Sequence, residues 1–245
     1  MSDDLDQWMK ENLIERNTHF KISYSHHGAD VRNSGPSFGL PNNFSLKMEA
    51  FAERPTFLMV GTIEPRKGYL QVVQAFSTLW GQGSDVNLVI VGNEGWKPLS
   101  EHMRRNIPEV IDSIKSNPEL NRRLFWLEGI SDEYLEKVYA NSRCLIAASE
   151  GEGFGLPLIE AAQYGLPIIA RDIPVFREVA GNFAYYFDNS NDPDVVCRAV
   201  IDWLKLFDEG VHPRSENMPW LTWSESAKNL LACVGIASPT TFLNP

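Results

Sequence analysis

The feature that most limits what this chain can fold into is a run near its middle. Cys144-Leu145-Ile146-Ala147-Ala148 leads into Ser149-Glu150-Gly151-Glu152-Gly153-Phe154-Gly155-Leu156-Pro157, and that into helix-forming residues from Leu158 to Tyr164. The unbroken apolar residues read as a buried strand, the middle as a glycine-rich turn and the last part as a helix. Pro157 suits a first helical turn, where its missing N–H is not needed. Gly151, Gly153 and Gly155 let the backbone bend tightly and approach a ligand closely. The unpaired N–H groups of that turn favour an anion. Glu152 in the loop and Glu160 in the helix lie eight positions apart, the second about one turn inside on the ligand side. An ordinary strand-to-helix turn does not need three glycines and a proline at these spacings.

The same alternation runs through the chain from Thr56. Strands are expected at Phe57–Gly61, Val86–Gly92, Leu124–Leu127, Cys144–Ala148, Pro167–Ala170 and Phe183–Phe187. Helical spacing of apolar residues falls at Lys67–Trp80, within 99 to 116 with an interruption at Pro108, after Ser131 as N-cap, at Pro193–Phe207 and at Thr222–Val234. Near-continuous apolar strands alternating with helices predict an α/β fold, a Rossmann-like parallel sheet covered on both faces. Ligands of such sheets bind beyond the carboxyl ends of the strands. One candidate site follows the first strand, Gly61-Thr62-Ile63-Glu64-Pro65-Arg66-Lys67-Gly68. There, two adjacent cations stand at a helix start, where the dipole disfavours them unless an anion is bound.

A formal net charge of -10 makes the chain a poor general binder of nucleic acid, so any phosphate must be held locally. Cys144, Cys197 and Cys233 are far apart and form no metal-binding pattern, which suggests reduced thiols in a cytoplasmic setting. No apolar run reaches transmembrane length, and the N-terminus carries no secretory signal. Residues 1 to about 55 do not read as a complete domain: a short helix over Leu5–Leu13, one strand over His19–Tyr24, the turn Ser25-His26-His27-Gly28-Ala29-Asp30, and a linker over 32 to 46. Without a third ligand nearby, His26 and His27 read as a histidine pair at a strand end rather than a metal site.

Glu152-Gly153-Phe154-Gly155-Leu156-Pro157, with Glu160-Ala161 after it, resembles the glutamate-x7-glutamate signature of family 4 retaining glycosyltransferases, which have the GT-B fold. The resemblance covers about residues 19 to 234 and looks most like bacterial polysaccharide and O-antigen (lipopolysaccharide) transferases. It implies the C-terminal, nucleotide-sugar-binding half of a GT-B enzyme over 56–245. Residues 1–55 would be a remnant of the N-terminal acceptor domain plus linker. The Gly28-Ala29-Asp30 turn resembles the piece that closes that first domain, and Trp220-Leu221-Thr222-Trp223 the segment that crosses back to it. In the family a Gly-Arg pair after the first strand and a Lys before the next Gly bind the donor phosphates. Here Gly61 matches, Thr62 takes the Arg position as a departure, and Glu64-Pro65-Arg66-Lys67 supplies an arginine beside the lysine.

By the same resemblance Arg66, Lys67 and Glu152 would carry catalysis, and Gly153, Phe154, Gly155 and Leu156 would line the nucleotide sugar. Glu160 would bind ribose hydroxyls. The segment Leu127–Leu135 resembles the base-binding loop, with backbone near Ile130 at the base edge and Leu135 on its face. Gly92-Asn93-Glu94-Gly95-Trp96 resembles a family turn loosely, and Asp172–Val179 reads as mostly structural. The implied reaction moves a hexose, with GDP-mannose a common donor, to a saccharide or lipid-linked saccharide hydroxyl with retention. No metal or other cofactor is expected, nor nucleic acid, and the longer parent would sit at most peripherally on the inner face of the membrane.

The chemistry agrees independently. Fixed cations and helix dipoles stabilise a leaving diphosphate, and a carboxylate such as Glu152 suits an oxocarbenium-like carbon. On this division of labour Glu152→Gln should leave a bare diphosphate nearly untouched. Two rivals are a non-catalytic nucleotide-sugar-binding module and a dinucleotide-dependent oxidoreductase; the latter lacks Gly-x-Gly-x-x-Gly after its first strand.

Overall fold

The computed structural model describes residues 2–12, 22–30, 39–42 and 44–235. In chain order the first elements are helix α1 (Ser2–Glu11), helix α2 (Phe44–Ala52), strand β1 (Thr56–Val60), helix α3 (Tyr69–Gly81), strand β2 (Asn87–Val91), helix α4 (Ile107–Lys115) and strand β3 (Leu124–Leu127). Then come helix α5 (Asp132–Ala140), strand β4 (Cys144–Ala147), helix α6 (Leu156–Gln163), strand β5 (Ile168–Arg171), helix α7 (Pro174–Ala180), strand β6 (Tyr185–Phe187), helix α8 (Pro193–Asp208) and helix α9 (Trp223–Cys233). The chain divides into two compact units, Val31–Pro219 and Met1–Asp30 with Trp220–Pro245.

In Val31–Pro219 six parallel strands form one sheet in the order β3-β2-β1-β4-β5-β6. Strands β2, β4 and β5 are buried at every position, because helices cover both faces of a parallel sheet. On one face Phe57 meets the rings of Phe76 and Trp203 edge-on at 5.6 and 5.7 Å, which ties β1 to α3 and α8. The strand order reverses direction at β1 and β4. Their following loops leave toward opposite sides and open a crevice at the carboxyl edge, the ordinary ligand position for this topology.

All six expected strands from Thr56 onward are present, as is the Ser131 cap: its Oγ accepts the Tyr134 N–H at 3.2 Å. Several expectations are corrected. The linker expected to residue 46 gives way to α2 from Phe44, whose Phe51 packs edge-on against Phe125 at 5.1 Å; burial of Met48 and Phe51 outweighs the weak local signal. Pro108 opens α4 rather than interrupting a helix, because a proline costs nothing in a first turn. Asp172–Val179 contains α7, which sequence reading left without a helix. The buried face of α5 is Tyr134, Val138 and Tyr139, with Leu135 half-buried. The strand expected over His19–Tyr24 falls partly outside the described residues, and 22–24 are not strand; residues 32–38 of the linker lie outside them as well.

In the other unit, the turn at residues 28–30 lies against the start of α9. The Ala29 N–H donates to the Leu221 carbonyl at 2.9 Å, the Trp223 N–H to Asp30 Oδ2 at 3.1 Å, and Ser226 Oγ to the His26 carbonyl at 2.6 Å. Thr222 and Glu225 form a capping box at the helix start. Among the described residues no helix is long and apolar enough to cross a membrane.

Candidate functional site

The loops after β1 and β4 meet at the crevice, 85 residues apart in sequence and in direct contact in space. After β1 a single 3-10 turn, Pro65–Lys67, precedes α3. Gly68 follows it in the left-handed region at φ 70°, and a Cβ there would lie 2.3 Å from the Ala148 carbonyl oxygen. Only glycine lets these two loops close on each other. The Glu150 N–H then donates to the Arg66 carbonyl at 2.8 Å, which locks one loop to the other.

The contact brings the predicted catalytic residues together. Lys67 Nζ donates to Glu152 Oε1 at 2.5 Å and Arg66 Nη1 to Glu152 Oε2 at 2.7 Å. Arg66 also donates to the Gly151 carbonyl at 2.9 Å and pairs with Glu64 at 3.2 Å. Ser149 Oγ donates to Glu152 Oε1 at 2.8 Å. Burial by itself would raise the Glu152 carboxyl; the hydrogen bonds from Lys67, Ser149 and Arg66 outweigh it and hold the acid below the ordinary carboxylate range. Both cations are thus paired with the one acid between them, and Glu64 supplies the second negative charge through Arg66.

Of the three loop glycines only Gly155 has a positive φ, 89°, where it caps α6 against Phe176. Gly151 and Gly153 have room around them, with no atom within 4 Å of a Cβ built there. Gly153 is exposed, and Phe154 and Leu156 are half-buried beside it. Gly61 is half-buried, its carbonyl accepting from Tyr69 Oη at 2.5 Å, and Thr62 is exposed. Burial pushes the Tyr69 phenol well up, and Glu152 and Glu64 add to it. Ile130 and Leu135 are half-buried at the carboxyl edge of β3, one strand beyond β2.

Glu160 is where the helix pattern puts it, one turn into α6, and its Oε2 accepts from Tyr139 Oη at 2.6 Å. Burial raises its carboxyl above the usual range, the Tyr139 hydrogen bond opposes this and Asp132 adds to it. A raised folded value means that Glu160 favours the fold below the unfolded carboxylate pKa of about 4.3 and loses that contribution as pH rises. At neutral pH its charge is a net cost. Glu160→Gln keeps an oxygen for Tyr139 and removes the charge. The variant is expected to gain about 1 kcal/mol, roughly 2–4 °C in Tm at pH 7, and to lose the gain near pH 4. Thermal unfolding at both pH values checks this; a lower Tm at pH 7 would refute it.

Sequence reading missed Ser149 and Tyr139. Ser149 was within the quoted run but carried no signal of its own. Nothing in the sequence ties Tyr139 to an acid 21 residues later. Among the described residues no three His, Cys, Asp or Glu side chains come together as metal ligands.

Residues 43–214 match the family described as glycosyl transferases group 1. The chain is 47% identical over 241 residues to the serotype-specific mannosyltransferase WbdA of Escherichia coli, covering 98% of this chain and 28% of that protein. The chain thus spans under a third of that relative's length. A glycosyltransferase from Rickettsia africae superposes with a TM-score of 0.67 at 19% identity, covering 97% of this chain and 62% of the other. Anabaena HepE, solved with UDP and glucose, gives 0.67 at 14% identity over 95% and 61%. At these identities the structural likeness speaks for the fold alone.

Proposed function

The chain belongs to the group 1 glycosyl transferases, and on that premise we propose that its sheet unit binds a nucleoside diphosphate sugar, GDP-mannose in the first place, for retaining transfer of the hexose to a saccharide hydroxyl. The observation that carries the reading is the meeting of Arg66, Lys67 and Glu152 at the reversal point of the sheet. Arg66, Lys67 and the positive end of the α6 dipole hold the diphosphate and take up its charge as it leaves, with no metal in the donor site. Glu152 faces the sugar carbon as positive charge develops. Glu160 accepts from the ribose hydroxyls, and the Ile130 backbone and Leu135 receive the base. The mannosyl donor is supported by the identity to WbdA.

Thermal shift with GDP, GDP-mannose, UDP, ADP and NAD tests this. GDP at a hundred times its Kd is expected to stabilise by about 2.7 kcal/mol, with or without EDTA. Stabilisation by NAD alone would overturn the reading, and loss of the GDP shift in EDTA would overturn the metal-free part.

The acceptor, a saccharide or lipid-linked saccharide, is bound by a different domain of the kind the family resemblance describes. Residues 1–30 then derive from that domain, and the sheet unit, which includes α2, is the donor domain. The reaction takes place in the cytoplasm, peripherally at the membrane. Purified chain is expected to bind GDP-mannose yet give no detectable transfer to mannosides; robust transfer in a radiolabelled donor assay would refute this division.

A further inference from the structure

Arg171 ends β5 with 0% of its surface exposed. Removing a guanidinium from water is expensive unless every N–H finds an oxygen. Here Nε donates to the Ala148 carbonyl at 2.9 Å and Nη1 to the Ser190 carbonyl at 2.6 Å, with Asn191 and Asn189 side-chain oxygens at 3.2 and 3.4 Å. Nη2 donates to Gln71 Oε1. All five partners are neutral oxygens: one on Nε, three sharing the two N–H groups of Nη1, and Gln71 on Nη2. Gln71 in turn donates to the Ser190 and Asp192 carbonyls, each at 2.8 Å.

The Ala148 carbonyl is the pivot of this network. One side of it accepts from Arg171, and the other rests on Gly68, where no Cβ fits. The next residue, Ser149, holds Glu152. Gln71 lies in the first turn of α3, directly after Lys67-Gly68. One buried side chain therefore grips both arms of the crevice from beneath: the glycine-rich loop through Ala148 and the cation turn through Gln71. Its charge is not needed for packing, since an apolar residue could fill a strand end at lower cost.

We propose that Arg171 is a positioning residue that sets the spacing between Lys67 and Glu152 by holding the Ala148 carbonyl and Gln71 in one fork. The inference rests on the donor-site reading for its consequence, not for the positioning itself. The planar fork matters as well as the charge, because a lysine offers one point of attachment where Arg171 offers three nitrogens.

The test uses the whole chain and two readouts. The first is amide hydrogen exchange without ligand on wild type, Arg171→Lys, Arg171→Met and Gln71→Met. Protection is expected to fall about tenfold or more over residues 66–72 and 148–153 in Arg171→Met, less in Arg171→Lys, with β2 and β3 unchanged. Should Arg171→Met not fold, Gln71→Met, which removes one oxygen and keeps the charge, is expected to loosen the same two segments. Unchanged protection there, or a uniform loss across the sheet in both Arg171→Lys and Gln71→Met, would overturn the proposal.

The second readout is GDP affinity by calorimetry. Arg171→Met is expected to weaken it about tenfold, and Lys67→Ala to cost less in that background than in wild type. Strictly additive losses in a folded double variant would show a merely structural role. Wild type that does not bind GDP would defeat the donor-site reading, while the exchange result would still decide whether Arg171 positions the two loops.

Discussion

Lys67→Ala is expected to weaken nucleoside diphosphate binding by about 10- to 100-fold, the larger of the two losses from the cation pair. A charge-assisted hydrogen bond contributes about 1.5–3 kcal/mol, and each 1.4 kcal/mol is about a factor of ten in affinity. The Lys67 side chain is 15% exposed and that of Arg66 47%. Water therefore screens Arg66 more, and Arg66 is also shared with Glu64. Arg66→Ala should cost several-fold less than Lys67→Ala. Calorimetric titration of both variants with GDP checks the order; equal affinity of wild type and Lys67→Ala would remove the pair from the donor site.

Glu152→Gln is expected to favour GDP over GDP-mannose. Sequence reasoning left the bare diphosphate nearly untouched by this change, but the structure alters that expectation. The Glu152 carboxylate occupies both cations that a diphosphate needs, at 2.5 and 2.7 Å. An incoming diphosphate has to compete with it or lie beside a like charge. Replacing it by an amide frees the cations, so GDP should bind a few-fold tighter, while Glu160→Gln weakens GDP about tenfold. GDP-mannose should gain less than GDP or lose, since Glu152 faces the sugar. In a protein that joins this unit to an acceptor domain, kcat should fall by about 100-fold or more with little rise in KM, because the carboxylate acts on charge that exists only in the transition state. Weaker GDP binding by Glu152→Gln than by Glu160→Gln would show that the roles are exchanged.

The sequence by itself determined the sheet and the place of the crevice. Apolar runs such as Cys144–Ala147 and Asn87–Val91 are buried on both faces, so their pattern admits a parallel sheet and little else. Gly155 with Pro157 marked the start of α6, and with it the loop that carries Glu152. These signals are local, written within a few residues of the structure they specify. What the tertiary structure alone decided is long-range. Helix α2 exists because Phe51 finds Phe125, and the Glu160 carboxyl is raised because the fold buries it and sets Asp132 nearby, against the opposing hydrogen bond from Tyr139. The cations and the acid were each legible as candidates, but not that they pair with one another across 85 residues. Arg171 carried no signal, since an arginine at a strand end reads as a solvated charge until the sheet closes over it. Side-chain pairing across a sheet depends on strand order, and strand order is a property of the whole chain, not of any window of it.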